Sequence, residues 1–196
     1  MARRDPHPDP PRSFRVFVTL VSHGWCRIHA VKHDPLYFGR EPSNRFDAPA
    51  KEFGVLYVAK DFHGGFIETF GHSTGVRFVT AAELRRRGLA VITPKRKLRL
   101  ADLRAEGLAR MGADAELTSG SDYDLARRWA RAIHDHPRQP DGILYRARHD
   151  PSRTCAAIFD RAASDLAESR LGTFHHKVNR FLLADILDTY KFGLVP

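Results

Sequence analysis

Two short runs decide the fold: Trp25-Cys26-Arg27-Ile28-His29 and Gly54-Val55-Leu56-Tyr57-Val58-Ala59. The second is apolar at nearly every position, as a strand covered on both faces must be. The first shares that apolar character but carries an arginine inside it. Between them, residues 30–53 hold Pro35, Gly39, Pro42 and Pro49, which read as one long irregular loop. Loops of that length inside a compact domain usually serve function. After the second run, residues 62–71 predict a short helix with Glu68 on its surface or at its end. The stretch Trp25 to Glu68 thus sets Arg27, Arg45, Tyr37, Tyr57 and Glu68 among apolar neighbours. Such a set suits a phosphorylated, aromatic ligand held near a single acid.

Working outward, residues 14–20, 76–79, 89–93, 98–100, 142–145 and 154–159 read as further strands, the last two as a hairpin. Thr80-Ala81-Ala82-Glu83 is a capping box, and the helix it opens is expected to stop at Gly88. Residues 102–111 read as helical despite Gly107. Ser121 is expected to cap a helix over 122–135, where Leu125, Trp129 and Ile133 recur at the spacing of one buried face. Residues 178–190 predict an amphipathic helix. Strands in the middle with helices in irregular order imply an α+β fold: a single domain with a mixed or antiparallel central sheet flanked by helices.

The chain has 196 residues, 42% hydrophobic and 28% charged, enough for one real core. Residues 1–13 are rich in proline and arginine and predict a disordered arm, leaving 14–196 as the folded domain. The start lacks the apolar segment of a secretory signal, and no run is long and apolar enough to span a membrane. These features imply a cytoplasmic protein. Cys26 and Cys155 then read as buried thiols rather than a disulfide.

The formal charge of +9 attracts nucleic acid, acidic partners or phosphorylated metabolites, yet no zinc-finger, helix-turn-helix or RNA-binding motif accompanies it. Eleven histidines invite zinc, but their spacing and the lack of Cys-x-x-Cys argue against a metal. Neither Gly-x-Gly-x-x-Gly nor the Walker pattern occurs, so Gly64-Gly65 and Gly71 read as turn glycines. Any nucleotide must be held by side chains.

Arg27 inside a strand has two readings. It forms an internal salt bridge, to Asp47 or Glu68, or it clamps a diphosphate through paired hydrogen bonds. Arg45 has the same two readings on a loop. Tyr57 is core or wall, Tyr37 a ring that could stack on a base, and Glu68 a partly buried carboxylate able to stabilise positive charge on a sugar.

Together with Pro35-Leu36-Tyr37-Phe38, Asn44-Arg45-Phe46-Asp47 and the block Asp141-Gly142-Ile143-Leu144-Tyr145-Arg146-Ala147-Arg148, these motifs resemble the RES family over about residues 27–160. The resemblance implies a fold similar to ADP-ribosyltransferases. It implies a toxin of a bacterial toxin–antitoxin pair that consumes NAD+ as substrate, without a cofactor, by hydrolysis or phosphorolysis of the nicotinamide–ribose bond. By motif, Arg27 and Glu68 would be catalytic, and Tyr37, Arg45 and Tyr57 would line the NAD pocket. The family's serine falls at Ala147, a departure. The implied partner is a helix-turn-helix antitoxin of the Xre class, with DNA met only through it; a homodimer is left open. Two alternatives stand beside this: transfer of ADP-ribose to a protein, and a catalytically weak binding module because of Ala147.

Overall fold

The computed structural model describes residues 10, 14–16, 18–72 and 75–196. The expected arm over residues 1–13 lies, apart from Pro10, outside the described residues.

In chain order the elements are β1 (Val18–Val21), β2 (Trp25–Ala30), β3 (Val55–Ala59), α1 (Phe62–Phe70), β4 (Phe78–Thr80), α2 (Ala81–Arg85), β5 (Arg87–Pro94), β6 (Leu98–Asp102), α3 (Glu106–Met111), α4 (Glu116–Ser119), α5 (Tyr123–His134), β7 (Gly142–Arg146), β8 (Thr154–Phe159), β9 (Leu166–Thr173), α6 (Arg180–Tyr190) and β10 (Gly193–Val195). The main sheet runs β1-β6-β7-β8-β3-β2-β5-β9, and β10 pairs with β4 in a small second sheet. Only β6 and β7 are parallel within the main sheet; its other neighbours are antiparallel. This is the α+β fold with a mixed sheet flanked by helices.

The sheet cannot be flat. Strands β5 and β6 are separated in it by β2, β3, β8 and β7, yet Lys95, Arg96 and Lys97 alone join them. Flat, they would lie roughly 24 Å apart at about 4.8 Å per strand. The linker reaches at most about 14 Å. The sheet therefore curls until its two wings face each other. Period-2 alternation fills both sides. Leu56, Val58, Ala156, Ile158, Leu144, Ala90 and Ile92 enter one core with Trp25, inside the curl. Val55, Ala59, Cys155, Ala157, Phe159, Ile143 and Tyr145 enter the other, with the helix residues Phe66, Leu125, Trp129 and Ile133. Strands buried on both faces explain the unbroken apolar runs.

Several expectations are corrected. The strand expected over 14–20 begins at Val18, and residues 14–16 have no regular structure. The capping box at Thr80 and Glu83 forms, but α2 ends at Arg85 and Gly88 lies inside β5. There a Cβ would stand 2.6 Å from Nε2 of His29, its partner across the ladder, so Gly88 permits strand approach rather than a helix end. Helix α5 is capped by Asp122, not Ser121: its carboxylate accepts from the N–H groups of Asp124 and Leu125. Asp102 closes a strand, and the helix after it starts at Glu106. Helix α6 starts at Arg180.

Candidate active site

Strand β2 pairs with β5 along its whole length, and β3 pairs with β8 along its whole length. Against each other, β2 and β3 share the single register pair Cys26↔Ala59. Past that point they part. Cys26, Arg27 and Ile28 on one strand and Tyr57, Val58 and Ala59 on the other line a cavity of about 470 Å³.

Helix α1 brings the carboxylate. Gly64 and Gly65 are not turn glycines but lie within this helix, pressed on the strands. A Cβ at Gly64 would stand 3.3 Å from Cβ of Ala59, and one at Gly65 3.5 Å from the Ile28 side chain. Glu68 lies about one turn further on and so shares the sheet-facing side. Its Oε1 accepts the backbone N–H of Arg148 at 2.9 Å. Burial pushes its pKa above the ordinary glutamate range, against the opposing pull of the Arg148 bond and the charges of His72, Arg45 and Arg148.

Arg27 donates from Nη2 to the Tyr37 carbonyl at 3.1 Å. Its Nε and Nη1 are buried without a hydrogen-bond partner, as are Nη1 and Nη2 of Arg45. Burial lowers the Arg27 pKa to about 10, so it remains a cation at neutral pH, and burial also lowers that of Arg45. Each unmade buried donor costs about 1–3 kcal/mol. The internal salt bridge considered for Arg27 does not form. Asp47 is instead occupied by Ser43, Asn44 and Tyr57.

That arrangement builds the loop carrying Arg45. The Tyr57 hydroxyl donates to Asp47 Oδ1 at 3.0 Å and accepts the Phe46 N–H at 2.9 Å. Its ring remains on the cavity wall. Arg45, 7% exposed, lays its guanidinium 4.6 Å above the Tyr123 ring.

Glu68, Arg27, Arg45 and Tyr57 are thus brought together, and two expected residues are not. The Tyr37 ring stacks on His33 at 4.1 Å and is not part of the lining; its carbonyl is what meets Arg27. Ala147 is 1% exposed within the apolar core, also outside the lining. Sequence reasoning missed Tyr123, Tyr145, His72 and His149 in the wall, and the role of the Arg148 main chain. Arg148 and Tyr145 fall inside the block Asp141 to Arg148. His72 lies just past the end of α1, four residues after Glu68. Tyr123, opening α5, left no such signal.

Among the described residues, Arg27, Arg45, Arg87 and Arg148 face Glu68 as the cavity's one acid. Burial and the Asp61 charge push the Cys26 thiol up to about 11, and burial raises Cys155 as well, so both are inert wall. The arrangement can hold an extended anion by its phosphates, flank it with aromatic rings and set one carboxylate against it.

Residues 24–178 match the RES domain family. The probable toxin y4kH of Sinorhizobium fredii (strain NBRC 101917 / NGR234) is 32% identical over 117 residues, 58% of this chain and 87% of that protein. Among solved structures, the M. tuberculosis MbcT–MbcA toxin–antitoxin complex contains a similar chain, with a TM-score of 0.59 and 16% identity over 79% of this chain and 87% of that one. At that identity the likeness concerns the fold.

Proposed function

The chain belongs to the RES domain family, and from that premise we propose that it is the toxin of a bacterial toxin–antitoxin pair, cleaving the nicotinamide–ribose bond of NAD+. One observation carries the reading: four buried guanidinium nitrogens of Arg27 and Arg45 have no hydrogen-bond partner in the same cavity as the single carboxylate of Glu68. A dinucleotide's diphosphate would satisfy those donors, since guanidinium meets phosphate oxygens with paired, charge-assisted bonds. Tyr57 offers a ring to the nicotinamide, and Tyr123 and Tyr145 extend that wall.

Glu68 then works by electrostatics. The Arg148 N–H fixes one carboxylate oxygen, leaving the other for a hydroxyl of the nicotinamide ribose. As the bond to nicotinamide lengthens, positive charge builds on the sugar carbon, and a preorganised carboxylate stabilises it. Nicotinamide leaves as a neutral base and needs no protonating acid. Water or phosphate completes the exchange. The fold likeness to a chain of a toxin–antitoxin complex and the identity with a probable toxin support a protein antitoxin as partner; its Xre class rests on the family resemblance alone. NAD+ as substrate implies a cytoplasmic site of action. Among the described residues no helix is long and apolar enough to cross a membrane.

Incubating the purified protein with NAD+, with and without phosphate, and following nicotinamide tests the proposal. Release abolished by Glu68→Gln supports it, and the phosphate dependence names the acceptor. NAD+ left intact in both buffers overturns it. Adenylate label ending on a macromolecule instead would favour ADP-ribosyl transfer.

A further inference from the structure

We propose that His149, braced by His72, is the base that takes the proton from the acceptor when that acceptor is water; this rests on the NAD+-cleaving reading above. The two segments that set Glu68 each carry an imidazole a short step further on. His72 comes four residues after Glu68, just past the end of α1, and His149 follows Arg148, whose N–H holds the Glu68 carboxylate. Both line the cavity, and their rings meet edge to face at 5.9 Å.

The loop bearing His149 is tied down. Asp150 accepts from the Ser152 N–H at 3.1 Å and from the Tyr190 hydroxyl of α6 at 2.8 Å, while the Ala147 N–H donates to the Arg153 carbonyl at 3.1 Å. An imidazole on so constrained a loop is positioned before substrate arrives.

Elimination points the same way. Both cavity thiols, Tyr57 and Tyr145 are held protonated by burial. Glu68 is committed to the sugar, and the arginines cannot accept a proton. Tyr123, the remaining phenol of the lining, lies under the Arg45 and Arg127 guanidiniums. That leaves the two histidines. His149 is faced by His72 beyond α1, Glu68 on α1, Arg148 on its own loop, Arg45 on the loop before β3, and Arg77 before β4. Burial, then His72 and the three arginines, depress its pKa, so the ring is neutral at pH 7.

In the step assigned to it, the bond from nicotinamide nitrogen to the sugar carbon breaks with its electron pair leaving on nicotinamide. A water oxygen bonds the carbon, and the water proton passes to the imidazole. The products are nicotinamide, ADP-ribose and a protonated histidine that returns its proton to solvent. Azide in place of water forms the carbon–nitrogen bond with no proton to lose.

The test is therefore His149→Ala and His149→Gln assayed with NAD+ in phosphate-free buffer, with and without sodium azide, reading nicotinamide and ADP-ribosyl azide. Hydrolysis is expected to fall ~10²-fold or more. Azide should restore nicotinamide release in both variants to near the wild-type azide rate. A merely structural role would depress both acceptors together, and that result, or unchanged hydrolysis, overturns the inference. If wild-type protein releases nicotinamide with phosphate but not with water, this inference alone is overturned; if it releases none with water, azide or phosphate, the functional reading itself fails and takes this one with it.

Discussion

Arg96 and Arg104 are held by carboxylates; Arg27 and Arg45 are not. Arg96 reaches Asp141 through Nη1 and Nη2 at 2.7 and 2.8 Å and Asp165 through Nε at 2.8 Å. Arg104 reaches Asp102 through Nε and Nη2 at 2.8 and 2.7 Å. Burial pulls the Asp102 and Asp141 carboxyls upward, but these bonds outweigh it and leave both below the ordinary range. In the cavity the same side chain is buried with donors unmade and its pKa lowered by desolvation. Arg96 ties the β5–β6 turn to the residues before β7 and β9, while Arg104 closes locally on Asp102. The second pair, Arg27 and Arg45, is a standing cost of the fold that a bound anion would remove. Arginine is thus used here as a clasp and, under the proposed function, as a ligand site, and the presence of a bonded acid separates the two.

The largest expected effect falls on the acid of the second region. Glu68→Gln keeps shape and removes the charge, so NAD+ turnover should drop ~10²–10³-fold with the fold retained. Because burial raises the Glu68 pKa, wild-type turnover should fall on the acid side at a pH above the ordinary glutamate range. Turnover rates across pH, with far-UV circular dichroism as the control for folding, check both.

Next comes ligand-linked stability. ADP-ribose at a hundredfold its Kd should raise wild-type stability by about 2.7 kcal/mol. Arg27→Met should abolish most of that gain. Thermal unfolding with and without ADP-ribose reads it, and an undiminished shift in Arg27→Met would mean that the unpartnered donors are not the anion site.

The third prediction sets the two regions against each other without ligand. Asp141→Ala strands the Arg99 N–H and the Arg96 guanidinium, and should cost about 1–3 kcal/mol in urea unfolding. Arg27→Met removes a buried charge with no partner carboxylate and should leave stability unchanged or raised. The pH dependence follows the same logic. The folded Asp141 pKa is depressed, so its contribution is present above its unfolded pKa and lost as pH falls through the folded one. Equal destabilisation by the two variants would erase the distinction between clasp and ligand site.

How much of this could be read from the chain depends on whether the information is local. The runs at Val55–Ala59 and Thr154–Phe159 are legible because burial on both faces demands apolar residues at every position. The box at Thr80 and Glu83 is legible because its bonds close within four residues. Gly88 misleads because its reason, the His29 ring, sits on another strand. Strand β9, with polar residues such as Glu168 and Arg170 on a sheet edge, lacks the apolar signal and passed unseen. At the site, residue types on Arg27, Arg45, Tyr57 and Glu68 marked the right stretch. Their convergence was hidden, since it depends on β2 and β3 parting after one register pair. No local pattern encodes where two strands fail to pair, and none reveals that Tyr37 turns its ring away.

The smallest expected effect probes how the unpaired region is held open. Tyr57→Phe keeps the ring on the cavity wall and removes only the hydroxyl that joins Asp47 to the Phe46 N–H. Asp47 keeps its bonds to Ser43 and Asn44, so stability should fall by only about 1 kcal/mol. Arg45 lies between these anchors, and a looser loop lets its guanidinium leave the Tyr123 ring. Under the proposed function Arg45 would bind the diphosphate in ground state and transition state alike, so the loss should appear as a raised KM for NAD+ with kcat nearly unchanged. Steady-state kinetics of the variant would show it. A fall in kcat at constant KM would place the Tyr57 hydroxyl in the chemistry itself, and the loop bearing Arg45 would then owe its position to Asp47 alone.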